Sequence, residues 1–249
     1  MSLLQKNKTL LSLLLLSFAV STESMACLST ANQPYNLVTD TVIPKEGKLL
    51  YSDNFDKDTD QWFSEFEIPE NSTLTIKNSK LDLVAKKGAS VWFKTKLSGN
   101  YIITYDEVVV NEGGPCDRVS DMNLFWNATN PSGLFFNLDG KFPSYDLLHL
   151  YYAGIGGNNN STTRFRKYTG VLADKAVIKE YTDSAHLIEG NKLYKIKIIV
   201  NEGRSMLFVN GELYFDNTDE APYKEGYFAF RTTRSHQQFD NFKIFSIKK

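Results

Sequence analysis

The 249-residue sequence predicts an all-β fold, a jelly-roll sandwich of two antiparallel sheets. Short runs in which apolar and polar residues alternate recur along the chain, and Gly, Asn, Asp and Pro separate them. Asn210-Gly211 is a favoured two-residue hairpin turn, and Asn201-Glu202-Gly203 marks another hairpin. No window of about 11 residues keeps a helical period with caps. Many evenly sized strands without helices are typical of a β-sandwich.

The predicted strands are short runs rich in β-branched and aromatic side chains. In chain order they are Thr73–Lys77, Lys80–Ala85, Ser90–Thr95, Tyr101–Val110, Met122–Trp126, a central hairpin within Asp146–Tyr168, Leu193–Val200, Ser205–Val209, Glu212–Phe215, Gly226–Thr232 and Phe242–Ser246.

The two ends of the domain resemble each other. Tyr51–Asp56 and Phe239–Ile244 both read as edge strands, and because sandwiches of this kind often pair their first and last strands, we expect that pairing here. Asp53, Asp56 and Asp240 in these segments are candidate ligands for a structural calcium ion, which prefers oxygen ligands. Turn formation explains the same residues, and we expect no other cofactor or metal.

Residues 1–26 are predicted to be a secretory signal peptide. Lys6 and Lys8 precede the apolar run Leu10–Val20, and small residues occupy positions 24 and 26. The run is too short to span a membrane, and no other apolar stretch is long enough. We therefore expect a lead-in at 27–47 and a single β-jelly-roll domain at 48–249.

Export predicts a secreted or periplasmic protein. Cleavage after Ala26 would leave Cys27 at the new N-terminus, which makes an outer-membrane lipoprotein an alternative. Ser24 stands where such signals usually carry Leu. Cys27 and Cys116 are the two cysteines of the chain, so there is no disulfide framework.

The charge balance excludes a global basic field. The formal charge is −1, and loss of Lys6, Lys8 and Glu23 with the signal peptide changes it to −2. Any anion binding must therefore be local, and export removes nucleic acid as a partner. The three histidines are scattered without zinc-ligand spacing.

The central hairpin carries the candidate catalytic residues. Alternation places His149 and Tyr151 on one face of the first strand, and Arg164, Arg166 and Tyr168 on one face of the second. We expect the hairpin to bring all five to the same concave face, where they would bind an anion and move a proton. A hydrogen-bonded histidine and arginines that neutralise nearby carboxylates remain the structural alternative.

Further polar and aromatic residues are candidates for substrate binding. On their strand, Trp92, Lys94 and Lys96 share a face suited to sugar stacking and anion binding. Arg118, Asp121 and Asn123 lie where a glycine-rich loop enters a strand. Arg231 and Thr233 lie on the face opposite core phenylalanines, and Arg234 and His236 lie in the turn that follows. The full set is Trp92, Lys94, Arg118, Asn123, Asn158, Arg231 and Arg234, with Lys96, Asp121, Thr233 and His236 beside them.

Four segments carry a resemblance to a known family. They are Gly88–Lys94, Gly113–Trp126, Gly156–Tyr168 and Gly226–Ser235. Together they resemble a little-characterised family of secreted concanavalin A-like proteins from polysaccharide-degradation systems, over essentially all of residues 48–249. This chain has Cys116 where the family has Asn, which puts a role for position 116 in doubt.

The resemblance implies a polysaccharide-related role. Similarity to jelly-roll polysaccharide lyases, and to oligosaccharide-dehydrating relatives from ulvan breakdown, implies β-elimination on a uronic acid in an acidic carbohydrate, sulfated or unsulfated. Such a reaction needs a group that holds the carboxylate, a base at C5 and an acid for the departing oxygen. Arginine, histidine and tyrosine supply these functions.

Two other functions stay open. A non-catalytic module would use the same arginines and aromatic residues only to bind an acidic glycan. A glycoside hydrolase would need two carboxylates about 5–10 Å apart, for which Glu65, Glu67 and Glu70 are the candidates. No Gly-x-Ser-x-Gly motif supports a serine nucleophile.

Overall fold

The computed structural model describes residues 43–133, 138–172 and 174–248. These residues form sixteen β-strands, two 3-10 helices and one four-residue helical turn. The strands are β1 (Glu46–Asp53), β2 (Trp62–Phe66), β3 (Thr73–Ile76), β4 (Leu81–Ala85), β5 (Ala89–Phe93), β6 (Leu97–Ser98), β7 (Tyr101–Val109), β8 (Met122–Thr129), β9 (His149–Gly156), β10 (Thr162–Thr169), β11 (Val177–Tyr181), β12 (Leu193–Asn201), β13 (Arg204–Val209), β14 (Glu212–Thr218), β15 (Glu225–Thr232) and β16 (Ser235–Ile247). The 3-10 helices are Phe142–Leu147 and Ser184–His186, and the helical turn is Gly157–Asn160.

The strands form two eight-stranded antiparallel sheets, so the predicted sandwich is confirmed. The first sheet has the order β14-β13-β12-β7-β16-β4-β3, with β1 also paired to β16. The second has the order β11-β10-β9-β8-β15-β5-β2, with β6 also paired to β15. The pairing of β1 with β16 confirms that the first and last strands are neighbours.

The main core lies between the sheets and is rich in aromatic residues. Phe230 of β15 stacks on Phe239 of β16 with ring centroids 3.8 Å apart, and on Trp62 of β2 at 5.1 Å. Trp126 of β8 stacks on Phe165 of β10 at 5.4 Å. Such pairs add to the stabilisation that burial of their large apolar area provides.

A second apolar cluster lies on the outer face of the second sheet. Residues 138–148, which we call the strap, lie on this face and include the 3-10 helix Phe142–Leu147. Tyr145 and Leu148 of the strap are buried against Trp92 and Phe125 of the sheet. The strap therefore leaves only part of the outer face open, over β8, β9 and β10.

The predicted signal peptide and Cys27 lie outside the described residues. The predicted domain boundaries remain predictions, and the first described strand begins at Glu46. In the described part of the chain, no helix has the length and apolar character needed to span a membrane.

Candidate functional site

A row of polar residues crosses the outer face of the second sheet. Residues paired directly on neighbouring antiparallel strands project from the same face. The register pairs Arg164 with Gly154, Gly154 with Asn123, and Asn123 with Arg231. Continued to both edges, this row, which we call the polar row, consists of Glu180, Arg164, Gly154, Asn123, Arg231, Ser90 and Glu65.

Gly154 opens a gap in the centre of the polar row. A Cβ at this position would collide with the Tyr152 hydroxyl group and would lie 2.8 Å from Asn123 Oδ1. The Tyr152 side chain therefore bends back over Gly154, and its hydroxyl group lies between Arg164 and Asn123 in the row. Only glycine permits this approach, since any side chain would occupy the space that the phenol fills.

An open cleft of about 320 Å³ lies over this gap. Its floor is Tyr152, Gly154 and Asn123, and the strap contributes Phe142 to one wall. The complete lining is Asp121, Asn123, Phe142, Tyr152, Gly154, Gly157, Asn158, Thr162, Arg164, Arg166, Lys175 and Thr233. Its volume lies at the lower end of the range for small-molecule sites.

Three cationic side chains line the cleft. Arg164 forms an ion pair with Glu180, and Lys175 Nζ lies 2.7 Å from Asp146 Oδ1. Arg166 donates from Nη1 to the backbone carbonyl of Lys175 at 2.9 Å, and no described carboxylate forms an ion pair with it. Arg166 is therefore the cation best placed to receive an anionic ligand.

Two tyrosines on this face, Tyr152 of β9 and Tyr168 of β10, are buried. Tyr152 is 7% exposed and Tyr168 is 1% exposed, with ring centroids 6.0 Å apart. Burial raises the pKa of Tyr152 and Asp121 raises it further, whereas Arg166, Arg231 and Arg164 oppose the increase. Burial likewise raises the pKa of Tyr168, whose hydroxyl group has no hydrogen-bond partner among the described residues.

Arg231 is a fully buried cation beneath the cleft. Its Nη1 donates to the Gly140 carbonyl of the strap at 2.6 Å, and its guanidinium group lies 5.0 Å from the Tyr145 ring centroid. Its Nε and Nη2 have no hydrogen-bond partner in the described part of the chain. As predicted, it lies opposite Phe228 and Phe230, which belong to the main core. Arg231 fastens the strap and cannot contact a ligand directly.

The turn between β9 and β10 forms the end of the cleft. Asn158 and Asn159 have left-handed backbone angles, with φ of 52° and 58°, which asparagine tolerates better than most residues. The Asn158 side chain lines the cleft. Arg118 donates to Asn159 Oδ1 at 2.7 Å and forms an ion pair with Asp121, so Arg118 supports this wall.

The prediction that His149 and Tyr151 share a face with the arginines is wrong. The register pairs Arg166 with Tyr152 and Lys167 with Tyr151, so the odd-numbered residues of β9 face the core side. Tyr151 is buried there and donates to Asp219 Oδ2 at 2.5 Å. His149 stacks on Tyr223 with centroids 5.2 Å apart. Neither residue lines the cleft.

Three predicted substrate-binding residues are also placed elsewhere. Trp92 is 1% exposed and donates to Glu65 Oε2 at 2.8 Å beneath the strap, so it offers no surface for sugar stacking. Lys94 lies beyond the end of β5 and donates to the Asp60 carbonyl at 2.6 Å. Arg234 is exposed and donates to the Pro115 carbonyl at 3.0 Å.

The structure brings four other predicted residues to the cleft, namely Asn123, Asn158, Arg164 and Arg166. Sequence reasoning missed Tyr152, Gly154, Phe142 and Lys175. Alternation does place Tyr152 with Leu148 and Leu150, but nothing in the sequence shows that this face is the one shared with the arginines. Lys175 lies in a loop and Phe142 lies at the start of a short 3-10 helix, where no strand periodicity indicates a direction.

The hydrolase hypothesis named Glu65, Glu67 and Glu70, and the structure gives Glu65 a structural role. Glu65 is buried and accepts hydrogen bonds from the Trp92 indole, the Tyr145 hydroxyl group and the Leu138 amide at 2.8, 2.8 and 2.9 Å. It therefore anchors the strap. Asp121 is the one carboxylate among the described residues lining the cleft.

The candidate calcium ligands do not assemble. Asp53 Oδ2 accepts from the Trp62 indole at 3.0 Å, and its Oδ1 accepts from the Phe55 amide at 2.9 Å. Asp240 accepts from the Asn241 amide at 2.6 Å. Among the described residues, no group of acidic, histidine and cysteine side chains has the arrangement of a metal site.

Two larger depressions lie away from the polar row. One of about 680 Å³ lies beside Asn100, Glu202 and Tyr223. The other, of about 660 Å³, lies on the first sheet beside Lys195, Lys197 and Phe208. Neither combines a tyrosine with two arginines, as the cleft does, so size alone does not identify the site.

Residues 83–242 match the model of a family described as a domain of unknown function, DUF6250. The chain belongs to this family. No curated protein matches it. The matched region extends from β4 into β16 and includes every residue that lines the cleft.

Solved structures share the jelly-roll fold. A protein of unknown function with a galectin-like fold from Bacillus subtilis is 16% identical, with a TM-score of 0.68 over 83% of this chain and 100% of that chain. The carbohydrate binding module CBM66 from Bacillus subtilis is 16% identical, with a TM-score of 0.52 over 75% and 96%. An endo-beta-1,3-glucanase from Pyrococcus furiosus is 11% identical, with a TM-score of 0.56 over 81% and 95%. At these identities the likeness shows the fold.

Proposed function

We propose that the cleft binds an acidic sugar and that Tyr152 catalyses β-elimination on its uronate ring. The observation that carries the proposal is the position of the Tyr152 hydroxyl group over Gly154, beside Asn123 and the cationic wall. A phenol next to carboxylate-binding groups is what proton removal beside a carboxylate requires. The carbohydrate-related fold of the solved structures supports the substrate class.

Arg166, Arg164 and Lys175 would hold the substrate carboxylate. Their cationic groups line one cleft, and Arg166 has no ion-pair partner in the described part of the chain. A guanidinium fork matches the two oxygens of a carboxylate and remains charged throughout the working pH range. As the C5 proton leaves, negative charge moves onto the carboxylate, so these contacts strengthen in the transition state.

Tyr152 would carry the proton. Its phenolate removes the C5 proton, the electron pair forms the C4–C5 double bond, the C4–oxygen bond breaks, and the phenol returns the proton to the departing oxygen. The Asn123 amide lies beside it and can hydrogen-bond a sugar hydroxyl group. Because burial raises the pKa of Tyr152, the phenolate fraction and the turnover should rise about tenfold per pH unit in the neutral range.

Secretion, with lipidation at Cys27 as its alternative form, belongs to the same proposal, since an extracellular or periplasmic protein would meet such saccharides. Ulvan fragments are one candidate source of the uronate. The strap fills much of the outer face of the second sheet, so the open cleft spans about two strand spacings, roughly 10 Å.

A binding module without activity is the second candidate, and the likeness to the carbohydrate binding module favours it. The binding step is tested by calorimetry with a glucuronate-containing disaccharide and its neutral glucose counterpart. We expect the acidic sugar to bind more tightly, with affinity that falls as salt rises. Arg166→Ala should weaken binding at least tenfold, and Lys94→Ala, at the far end of β5, should not. Equal affinity for both sugars would overturn the proposal.

A further inference from the structure

His236 bridges two carboxylates on different elements. At the start of β16, its Nε2 lies 3.0 Å from Asp82 Oδ1 of β4, and its Nδ1 lies 3.1 Å from Asp117 Oδ1. Asp117 belongs to residues 111–121, which we call the glycine-rich loop. A neutral imidazole ring has one N–H, so it can donate to only one of the two carboxylates. Both contacts are hydrogen bonds only when the ring is doubly protonated.

The glycine-rich loop is built around Asp117. Its Oδ2 accepts from the backbone amides of Glu112 and Gly114 at 2.8 and 3.0 Å. Three further hydrogen bonds join the loop to Arg234, in the turn after β15, and to Ser235, the first residue of β16. They are Arg118 Nε to the Arg234 carbonyl at 2.9 Å, Ser235 Oγ to the Arg118 carbonyl at 3.2 Å, and Arg234 Nη2 to the Pro115 carbonyl at 3.0 Å. The His236–Asp117 contact is the one in this group that depends on a proton.

The same loop reaches the cleft. Arg118 extends from the loop to Asn159 and also forms an ion pair with Asp121 at the end of the loop, and the Asp121 amide donates to the Gly156 carbonyl at 3.1 Å. Asn158 and Asp121 both line the cleft. The loop therefore supports one wall of the cleft.

We infer that His236 is a protonation-dependent latch that holds the glycine-rich loop and, through Arg118, the Asn158 wall of the cleft. When the ring loses one proton, a nitrogen lone pair faces a carboxylate, and that contact becomes repulsive. The loop then keeps its hydrogen bonds to Arg234 and Ser235 but loses the bridge through His236 between Asp117 and Asp82 of β4, so the wall that Arg118 supports is held less firmly. The latch regulates the cleft in which we propose that the sugar binds. Only its effect on sugar binding rests on the proposed function.

The two carboxylates that face His236 both favour its protonated form. Asp82 faces it from β4, with Lys77 beyond, and Asp117 faces it from the loop. From the β7 side, the Val110 amide donates to the His236 carbonyl. The hydrogen bond to Asp82 raises the pKa of His236, although burial opposes the increase. The latch therefore stabilises the fold fully below the ordinary histidine pKa of about 6.5 and is lost as pH rises through the raised value.

Hydrogen exchange tests the latch without any sugar. We expect the Glu112 and Gly114 amides, corrected for intrinsic exchange, to open at least tenfold more often at pH 9 than at pH 6. His236→Gln should remove this difference. His186→Gln is the matched control, because His186 also contacts a carboxylate, that of Asp183, and should keep the difference. Equal opening at both pH values, or a pH effect that survives in His236→Gln, would overturn the latch.

Nitrogen NMR of the ring provides a measurement on the wild-type chain. Both nitrogens of His236 should stay protonated above the pH at which an ordinary histidine titrates, and titration at or below about 6.5 would contradict the latch.

Affinity for the glucuronate-containing disaccharide should fall from pH 6 to pH 9 in the wild type and in His186→Gln, but not in His236→Gln. A loop that opens while affinity stays constant would overturn the link to the cleft. Failure of the lyase proposal leaves the exchange and NMR results unaffected.

Discussion

Tyr152 and Arg166 are directly paired on β9 and β10, so the phenol and the guanidinium group project from the same face of the second sheet. Two residues away on each strand, Arg164 is paired with Gly154, which leaves the space that the Tyr152 hydroxyl group occupies. This arrangement places an ionisable hydroxyl group against two arginines in a small cleft. It is the physical basis of the proposed chemistry.

Filling the gap at Gly154 should remove function while the fold remains. In Gly154→Ala, the new methyl group must displace Tyr152 or Asn123, at a cost of about 1–3 kcal/mol. We expect sugar binding and turnover to fall at least tenfold. Gly99→Ala is the control for lost stability, since a Cβ there meets no atom within 4 Å but strains a backbone with φ of 73°. If both variants keep wild-type binding, the gap has no functional role.

Glu65 should behave as an anchor of the strap. Glu65→Ala leaves the Trp92 indole and the Tyr145 hydroxyl group buried without their acceptor, and each unsatisfied donor costs about 1–3 kcal/mol. Urea unfolding should show this loss, with faster hydrogen exchange in the strap. Glu70→Ala, at an exposed turn position, should cause neither change. A catalytic Glu65 would instead give a stable, inactive variant.

Glu107 should make the folded state less stable as pH rises. It is buried on β7, where the register pairs it with Tyr194 and Phe239, and burial raises the pKa of its carboxyl group well above the ordinary value. The unfolded chain ionises near pH 4.5, so the folded state loses stability from there up to its own raised pKa, by about 1.4 kcal/mol per pH unit.

Glu107→Gln removes this titration, so its stability relative to the wild type should increase between pH 5 and pH 8. Urea unfolding at the two pH values measures the difference. Glu70→Gln serves as the control and should follow the wild type. A gain that is the same at both pH values would show that the Glu107 carboxyl group is not forced to stay neutral.

The sequence was sufficient to predict the sandwich, because alternation, hairpin turns and the lack of helical periodicity all agree. It also identified the hairpin that contains Arg164 and Arg166. It could not determine which face of β9 these arginines share. That choice depends on the left-handed turn at Asn158 and Asn159, which sets whether the even-numbered residues of β10 pair with even-numbered or odd-numbered residues of β9. One inserted residue would reverse the pairing.

Burial was the second property that the sequence did not reveal. Trp92 lies on the outer face of the second sheet, yet the strap covers it. The strap is held there because Glu65 and Arg231 bind strap atoms that are distant from them in sequence. A sugar-stacking tryptophan and a buried one have the same strand pattern. Only the position of residues 138–148 separates them.

The most direct measurement compares neighbouring tyrosines on opposite faces of β9. Wild-type protein, Tyr152→Phe and Tyr151→Phe are incubated with uronate-containing saccharides, and the ultraviolet absorbance of a conjugated uronate product is followed. We expect wild type and Tyr151→Phe to form this product, although the latter loses stability with its hydrogen bond to Asp219. Tyr152→Phe should turn over at least about 100-fold more slowly with nearly unchanged affinity. Equal rates in Tyr152→Phe and wild type, or new reducing ends without absorbance, would contradict the account.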